Sequence, residues 1–349
     1  MHLLQLAMCF GFSLVLVGTA APQIEWQPQT SGVTARLRGV SAVSARVAWA
    51  SGANGTLLRT IDGGAHWAVL PPPARAEKLD FRDIDAVSEL VAYALSIGSG
   101  DTSRVYKTTD GGAHWQLQLA NKDPKVFFDA MVFRDASHGF LFSDSVDGRF
   151  FVLTTADGGE TWERVPTNRL PPAANGEGAF AASGTNLAVS GQQVWIGTTA
   201  SRVLHSKDDG RTWTVATTPL ATGSATGIFS IAFRDAQHGA IVGGNFQKES
   251  DAIDNAAVTS DSGATWTLAG KPGGFRSVVA WLPDDPRSLI AIGPTGADWS
   301  SDEGRTWTPI ALPAAAGKPA GFDTFSFAPG GRVGWAAGQG GRISKVALK

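Results

Sequence analysis

The sequence is poor in cysteine, tyrosine, methionine and net charge. Its 349 residues contain 1 Cys, 2 Tyr and 3 Met, and 29 basic side chains nearly balance 31 acidic ones. The single cysteine, Cys9, lies in the apolar N-terminal stretch, so we expect the mature protein to lack disulfides, thiolate nucleophiles and thiolate metal sites. The formal net charge of −2 argues against a polybasic nucleic-acid binder, and we expect no nucleic-acid partner.

The sequence also lacks the short motifs of the common catalytic and cofactor sites. It has no Gly-x-Ser-x-Gly elbow, phosphate loop or dinucleotide fingerprint in a strand–helix context, and no two histidines are spaced as a metal pair. We therefore expect no cofactor and no metal. The acidic loop Glu249–Asn255 is interpreted as a solvated loop, with a calcium site as the alternative.

Glycine and tryptophan are abundant, with 42 Gly and 12 Trp. The aspartates of a recurring octapeptide are 48, 47, 51, 53 and 41 residues apart, and each copy ends in Trp. A repeat of about 40–50 residues that carries short strands predicts a β-propeller with one blade per repeat. The six copies are TIDGGAHW (60–67), TTDGGAHW (108–115), TADGGETW (155–162), SKDDGRTW (206–213), TSDSGATW (259–266) and SSDEGRTW (300–307).

Each octapeptide is predicted to be the turn between two strands. Its Ser or Thr ends one strand, its Asp accepts hydrogen bonds from backbone N–H groups of the turn, and its Gly permits a positive φ. The Trp begins the returning strand and is large enough to pack between neighbouring sheets. Structural roles are therefore assigned to Asp62, Asp110, Asp157, Asp208, Asp261, Asp302, Trp67, Trp115, Trp162, Trp213, Trp266 and Trp307.

The two ends of the chain supply one further blade. Residues 340–346 look like a third strand that no octapeptide follows, and residues 25–29 look like a fourth strand without its preceding three. Joining them completes a seventh blade. The predicted fold class is all-β: a single seven-bladed propeller of four-stranded antiparallel blades over residues 24–349, with its last blade closed by both termini.

The N-terminal segment is predicted to be an export signal. Residues 3–17 are almost entirely apolar, which is too short for a membrane-spanning helix, and small residues precede a cleavage point after Ala20. The predicted domains are a signal peptide, residues 1–20, and a propeller, residues 21–349. We expect a periplasmic or extracellular protein with no integral membrane span after cleavage. An uncleaved membrane anchor is the alternative.

The octapeptides resemble Asp-boxes, also called bacterial neuraminidase repeats. Such repeats occur in sialidases, in xyloglucan-cleaving hydrolases, in sortilin-type receptors and in the photosystem II stability/assembly-factor family. The regular single ring is most similar to the last family. The resemblance implies a non-enzymatic assembly or interaction factor that binds a protein or peptide partner, and we expect a monomer.

The position of the octapeptides predicts which face of the ring is functional. They join the third and fourth strands on one face, so blade-to-blade links and the loops between second and third strands lie on the other, where pockets are expected. Three arginines and several carboxylates near the starts of inner strands are the candidate partner-binding residues, suited to an anionic group. They are Arg38, Arg82, Asp129, Glu177, Arg276 and Asp323, with the loops 71–79, 98–104, 121–126, 143–149, 166–176 and 243–256. Solvated strand ends with local salt bridges are the alternative.

The enzyme class is left open, with a preference for no catalysis. A sialidase needs a tyrosine nucleophile, but Tyr93 and Tyr106 both lie within predicted strands. A glycoside hydrolase, with a carbohydrate ligand, needs only two carboxylates about 5–9.5 Å apart. Its candidates are Asp83, Asp129, Glu177 and Asp323. A desolvated pair in a pocket would favour the enzyme, whereas dispersed carboxylates paired to arginine would favour binding.

Overall fold

The computed structural model describes residues 24–315, 318–319 and 321–349, with the backbone alone at 314–315 and 318–319. The predicted signal peptide and Cys9 lie outside the described residues. Seven four-stranded antiparallel sheets form the ring, which confirms the predicted seven-bladed propeller. In the described part, no helix has the length and apolar character needed to cross a bilayer.

The strands follow the chain blade by blade, from the inner strand to the outer one. Blade 1 comprises β2 (Leu37–Ala42), β3 (Ala48–Gly52), β4 (Leu57–Thr60) and β5 (Ala68–Val69). Blade 2 comprises β6 (Asp80–Ala86), β7 (Ala92–Ile97), β8 (Arg104–Thr108) and β9 (Gln116–Ala120). Blade 3 comprises β10 (Phe128–Phe133), β11 (Gly139–Val146), β12 (Arg149–Thr155) and β13 (Glu163–Arg164).

The next three blades repeat this order. Blade 4 comprises β14 (Leu187–Ser190), β15 (Gln193–Gly197), β16 (Arg202–Ser206) and β17 (Thr214–Thr217). Blade 5 comprises β18 (Thr226–Phe233), β19 (Gly239–Asn245), β20 (Ala256–Thr259) and β21 (Thr267–Leu268). Blade 6 comprises β22 (Val278–Leu282), β23 (Asp285–Gly293), β24 (Gly296–Ser300) and β25 (Thr308–Ile310).

Both termini build blade 7. Its strands are β28 (Thr324–Phe327), β29 (Val333–Ala337), β30 (Ile343–Leu348) and the outer β1 (Ile24–Gln29). β1 pairs antiparallel with β30, with Trp26 opposite Val346, so the closure predicted from the sequence is confirmed. The other elements are a two-stranded hairpin, β26 (Ala314–Ala315) and β27 (Lys318–Pro319), and the 3₁₀ turns Gly100–Thr102, Thr167–Arg169 and Gln339–Gly341.

Burial within a blade explains why the second strands are almost continuously apolar. Every residue of β3 is buried, and so are the apolar residues of β7 and β15 except the partly buried Ile97. Neighbouring blades cover both faces of these strands, so an alternating polar pattern would bury polar side chains. The outer strands β5, β13 and β21 are short and exposed, which limits edge-to-edge pairing with other chains.

The six octapeptide turns share one hydrogen-bond pattern. In the first, Thr60 Oγ1 donates to Asp62 Oδ1 (3.0 Å) and accepts from the Gly64 N–H (2.8 Å), while the His66 N–H donates to Asp62 Oδ1 (3.0 Å). The other five copies repeat these three bonds at 2.7–3.0 Å. Each turn therefore satisfies its own backbone donors locally.

Each octapeptide turn also packs against the preceding blade. Trp266 of blade 5 lies in one core cluster with Trp195 of β15, and Trp195 Nε1 donates to the Ser262 carbonyl (2.8 Å). Likewise, Tyr93 of β7 donates to the Gly158 carbonyl of the blade 3 turn (2.8 Å). These aromatic contacts lock successive blades together.

Side chains of one inner strand bond the free edge of the next. Ser41, Ser230 and Ser326 each accept an N–H from the inner strand of the following blade. Between blades 2 and 3, Asp83 and Asp85 do this instead, accepting the N–H groups of Met131 (2.8 Å) and Phe133 (2.5 Å). The inner edges of these blades are thus bonded around the channel.

Candidate functional site

The central channel is crossed by residues 178–186, which precede the inner strand of blade 4 and are called the channel segment below. Its Ala182 carbonyl accepts a bond from Arg38 Nη1 of blade 1 (3.3 Å), and its Ala181 carbonyl accepts one from Arg82 Nη1 of blade 2 (2.8 Å). Ser183 Oγ donates to the Ser277 carbonyl beside blade 6 (2.9 Å). A single segment that reaches blades 1, 2 and 6 must lie across the axis, so it closes the channel.

A cavity of about 360 Å³ lies where the channel segment meets the predicted functional face. Ala181 and Ala182 form part of its wall, so the cavity ends blindly on the segment. Besides Ser277 and Pro294, its other lining side chains fall into three groups: the arginines Arg36, Arg38 and Arg82, the phenylalanines Phe180, Phe229, Phe246 and Phe275, and the acids Glu249 and Asp323. Small-ligand sites combine an apolar wall with few polar groups in this way.

The arginines of the cavity differ in their partners. Arg36 forms a two-point ion pair with Asp323 (2.9 and 2.7 Å), and Arg82 Nε pairs with Asp80 Oδ2 (2.8 Å). Arg38 forms no ion pair among the described residues, and its buried Nε has no hydrogen-bond partner there. Burial lowers the pKa of Arg38 to about 10, so the group remains a cation at neutral pH. A partly buried guanidinium with an unbonded N–H favours an anionic ligand.

Three of the six predicted partner-binding residues meet at this cavity: Arg38, Arg82 and Asp323. The other three do not line it. Arg276 is buried in an ion pair with Asp298 (2.6 Å) and donates to the Phe275 carbonyl (2.8 Å). These contacts commit most of its donors within blade 6.

Glu177 is buried in a network within blade 4. Its carboxylate accepts bonds from the Arg202 guanidinium, from Thr198 Oγ1 (2.6 Å) and from the Ala174 N–H (2.8 Å). The Glu177 side chain has 0 % exposure, so no ligand reaches it in this conformation. With Asp323 paired to Arg36, two of the four predicted carboxylates are committed to arginines, the arrangement typical of a binding site.

Asp83 and Asp129 are buried between blades 2 and 3, outside the cavity lining. Burial raises the pKa of Asp83 to about 8, although the Met131 N–H bond acts against this. Burial, followed by repulsion from Asp144, also raises the pKa of Asp129 well above its usual range. Both Asp129 oxygens lack a hydrogen-bond partner among the described residues. The two carboxyl groups are desolvated but do not face the cavity.

The tyrosines lie within the blades, away from the cavity lining. Tyr93 is fully buried, and burial raises its pKa to about 12. Tyr106 packs in the core cluster of blades 1 and 2. Neither side chain is placed to attack a ligand in the cavity.

Sequence reasoning did not single out Arg36, Phe180, Phe229 or Phe275, and it included Phe246 only as part of the loop 243–256. These five residues come from five separate loops or strands, and no local spacing relates them. The high phenylalanine count, 18 residues, was the only compositional signal. A second cleft of about 770 Å³, lined by residues 29–35, Asn54, Thr56 and residues 340–342, carries a single charged side chain, Arg342, and offers less to an ionic ligand.

No group of three or more histidine, cysteine, aspartate or glutamate side chains suited to a metal ion is found within residues 24–315 and 321–349. In the loop interpreted above as solvated or calcium-binding, Glu249 lines the cavity and Asp251 is exposed.

Comparison with known proteins gives a partial sequence match and broad structural matches. Residues 123–220 match the family model described as photosynthesis system II assembly factor YCF48. This region contains blades 3 and 4 together with the channel segment. A comparison with curated protein sequences gives no match.

Several solved structures share the fold. A structure titled YCF48 bound to D1 peptide is 17% identical, with a TM-score of 0.65, and the match covers 95% of this chain and 98% of that one. YCF48 from Cyanidioschyzon merolae is 18% identical with a TM-score of 0.66, covering 92% and 98%. A GH74 xyloglucanase from Xanthomonas campestris is 16% identical with a TM-score of 0.62, covering 92% of this chain but 53% of the enzyme.

At these identities the structural matches establish the fold alone. The family-model match adds a sequence likeness in blades 3 and 4. The chain is thus a seven-bladed β-propeller that resembles the photosystem II assembly factors of the YCF48 type, in sequence over residues 123–220 and in fold over nearly its whole length.

Proposed function

We propose that this protein is an exported, non-enzymatic interaction factor that binds a segment of a partner protein in the cavity at the channel mouth. The observation that carries the proposal is Arg38, a partly buried cation that forms no ion pair among the described residues. A carboxylate of a partner would accept hydrogen bonds from the free N–H groups of Arg38 and from those of the neighbouring Arg82. The solved YCF48 structure with a D1 peptide supports a peptide as the ligand class.

The shape of the cavity supports a peptide more than a polysaccharide. The channel segment forms part of its wall, and its lining combines phenylalanine and arginine side chains, which suit a peptide with apolar and anionic groups better than a neutral sugar chain. Glu177 and Asp323 are each held by an arginine, which removes them from the role of a free acid or nucleophile.

The test measures peptide binding to the purified protein and to two arginine variants. Arg38→Met removes the charge but keeps an apolar stem, and Arg211→Met makes the same change at an exposed site on the opposite face. Peptides that bind the wild type are first selected from a random library. We expect the anionic ones to bind the Arg38→Met protein at least about tenfold more weakly, because a charge-assisted hydrogen bond is worth about 1.5–3 kcal/mol. Arg211→Met should bind like the wild type.

Two results would contradict the proposal. One is unchanged peptide affinity in the Arg38→Met protein with its fold intact. The other is release of reducing sugar from a panel of polysaccharides that disappears on changing Asp129 or Glu177 while the fold is retained, which would make the protein a glycosidase. Export has its own test: mass spectrometry of the protein from a periplasmic or secreted fraction should find an N-terminus at Ala21, whereas an intact N-terminus in the membrane fraction would indicate an anchor.

A further inference from the structure

The four phenylalanines of the cavity form one aromatic cluster assembled from separate elements. The rings of Phe180 and Phe229 stack with centroids 3.9 Å apart, and Phe275 meets Phe229 edge-on at 4.6 Å. Phe246, from the loop between β19 and β20, lies edge-on to Phe180 at 5.9 Å. Aromatic pairs in these geometries hold each other in place.

One side of this cluster remains open. Phe229 and Phe275 are 2% and 3% exposed, but Phe246 is 41% exposed. Full burial would stabilise the Phe246 side chain more than this half-exposed position does. Its exposed part borders the cavity instead. The buried pair thus forms a firm wall, with Phe246 as its rim.

The open aromatic surface lies beside Arg38, which has no ion-pair partner in the part of the chain that the structure describes. Both border one blind cavity of about 360 Å³, which has room for only one or two residues of a peptide. An apolar group on the phenylalanines and an anion on Arg38 must therefore belong to the same or to adjacent residues of the ligand. Glu249 lines the same cavity and disfavours an anion on its own side.

We infer that the Phe180, Phe229, Phe246 and Phe275 cluster is a side-chain pocket that selects a large apolar or aromatic residue directly next to the carboxylate bound by Arg38. The inference rests on the proposed function and adds a specificity to it. The carboxylate has two sources, an acidic side chain or the end of a chain, and both present the same chemistry to the guanidinium. The carboxylate of the ligand binds Arg38 through charge complementarity, and the phenylalanines then determine which residue is accepted beside that carboxylate.

The experiment measures fluorescence anisotropy of labelled hexapeptides with the purified protein. One peptide ends in Ser-Phe with a free carboxylate, a second ends in Asp-Phe-amide, and a third ends in Ser-Phe-amide and has no carboxylate. Alanine replaces the terminal phenylalanine in a matched set. We expect an anionic phenylalanine peptide to bind about tenfold tighter than its alanine counterpart. If only one source of carboxylate fits Arg38, only the peptide with that source shows the difference.

Two variants locate the selectivity. Phe246→Ala should reduce the preference for phenylalanine over alanine from about tenfold to about twofold, because it removes the rim of the pocket. Leu90→Ala, at a site 52% exposed in the turn between β6 and β7 on the opposite face, should leave the preference unchanged. Glu249→Gln should tighten binding of every anionic peptide a few fold by removing a like charge.

The outcomes separate the two ideas. Anionic peptides that bind through Arg38 with equal affinity for phenylalanine and alanine would overturn the pocket and leave the proposed function standing. If no anionic peptide binds, or if Arg38→Met changes no affinity, the proposed function fails together with the pocket. A preference that persists in the Phe246→Ala protein would place the selectivity elsewhere and overturn the inference.

Discussion

Aspartates on the two faces of the ring differ in exposure and in pKa. On the turn face, hydrogen bonds from the His114 backbone and side chain lower the pKa of Asp110 to about 2, and those from Thr161 do the same for Asp157. Near the channel, burial raises the pKa of Asp83 to about 8 and that of Asp85 to about 6. One residue type therefore supports the fold as an anion in the turns and, in the case of Asp83, mainly as a neutral acid near the channel.

The difference follows from where the hydrogen-bond donors come from. In each turn, all donors to the aspartate lie within four residues of it. Asp83 instead accepts from Met131, 48 residues away in the next blade. The turn face repeats because its interactions are local, whereas the channel face differs from blade to blade because its interactions join different blades.

The largest expected effect concerns the buried ion pair of blade 4, which lies on the channel side. Arg202→Met should destabilise the protein by about 3–5 kcal/mol, because it leaves the fully buried carboxylate of Glu177 without its partner. Lys125→Met, which breaks an exposed pair with Asp147, should cost less than about 1 kcal/mol. Urea unfolding followed by tryptophan fluorescence measures both, and equal small losses would show that Glu177 does not depend on Arg202.

The channel segment should be more sensitive than a hairpin turn to an added methyl group. Gly184 has φ +74°, and a Cβ there would lie 2.2 Å from Asp83 Oδ1. Gly191 has φ +57° with nothing within 4 Å. Gly184→Ala should cost about 2–4 kcal/mol and Gly191→Ala about 1 kcal/mol, because the backbone strain is shared but the clash is not. Thermal denaturation of both variants tests this, and similar losses would mean that the segment moves freely.

The turn hydroxyls should make nearly the same contribution in every blade. Thr259→Val keeps the shape of the side chain but leaves the buried Gly263 N–H without its acceptor, 3.0 Å away, so we expect a loss of about 1–3 kcal/mol. Ser260→Ala, at an exposed position in the same turn, should change stability by less than about 0.5 kcal/mol. Repeating the change at Thr60 and Thr108 should give similar values. Stability losses that differ strongly between blades would show that the turns are not stabilised by local hydrogen bonds alone.

The smallest expected effect is the change in the free energy of unfolding per pH unit that is due to Asp83. Because its folded pKa, about 8, lies above the value of about 4 in an unfolded chain, the folded state retains a proton that the unfolded state has lost. Stability from this group is fully present below about pH 4 and is lost as the pH rises towards 8. Asp83→Asn should remove up to about 1 kcal/mol per pH unit of this slope. Urea midpoints measured from pH 5 to pH 8 test the sign, and an unchanged slope would contradict it.

The sequence predicted the ring more completely than the candidate site. The octapeptide spacing, the strand pattern and the two chain ends were enough for seven blades and their closure, because each of these signals is local or periodic. The face that carries Arg38, Arg82 and Asp323 followed from strand order. The strand order did not predict that Arg276 and Glu177 lie outside the cavity lining. An arginine at the start of an inner strand has the same local sequence signal whether it faces an acid or a cavity.

By itself, the sequence determined the repeat, the turn chemistry and the number of blades. The tertiary structure alone decided that residues 178–186 cross the channel and that four distant phenylalanines border the same cavity. It also decided that Asp323 pairs with Arg36, which leaves Arg38 without an ion pair among the residues described. The physical reason is the range of the interactions. A turn is closed by donors a few residues away, but the mouth of a seven-bladed ring is built from side chains brought together only when the ring closes.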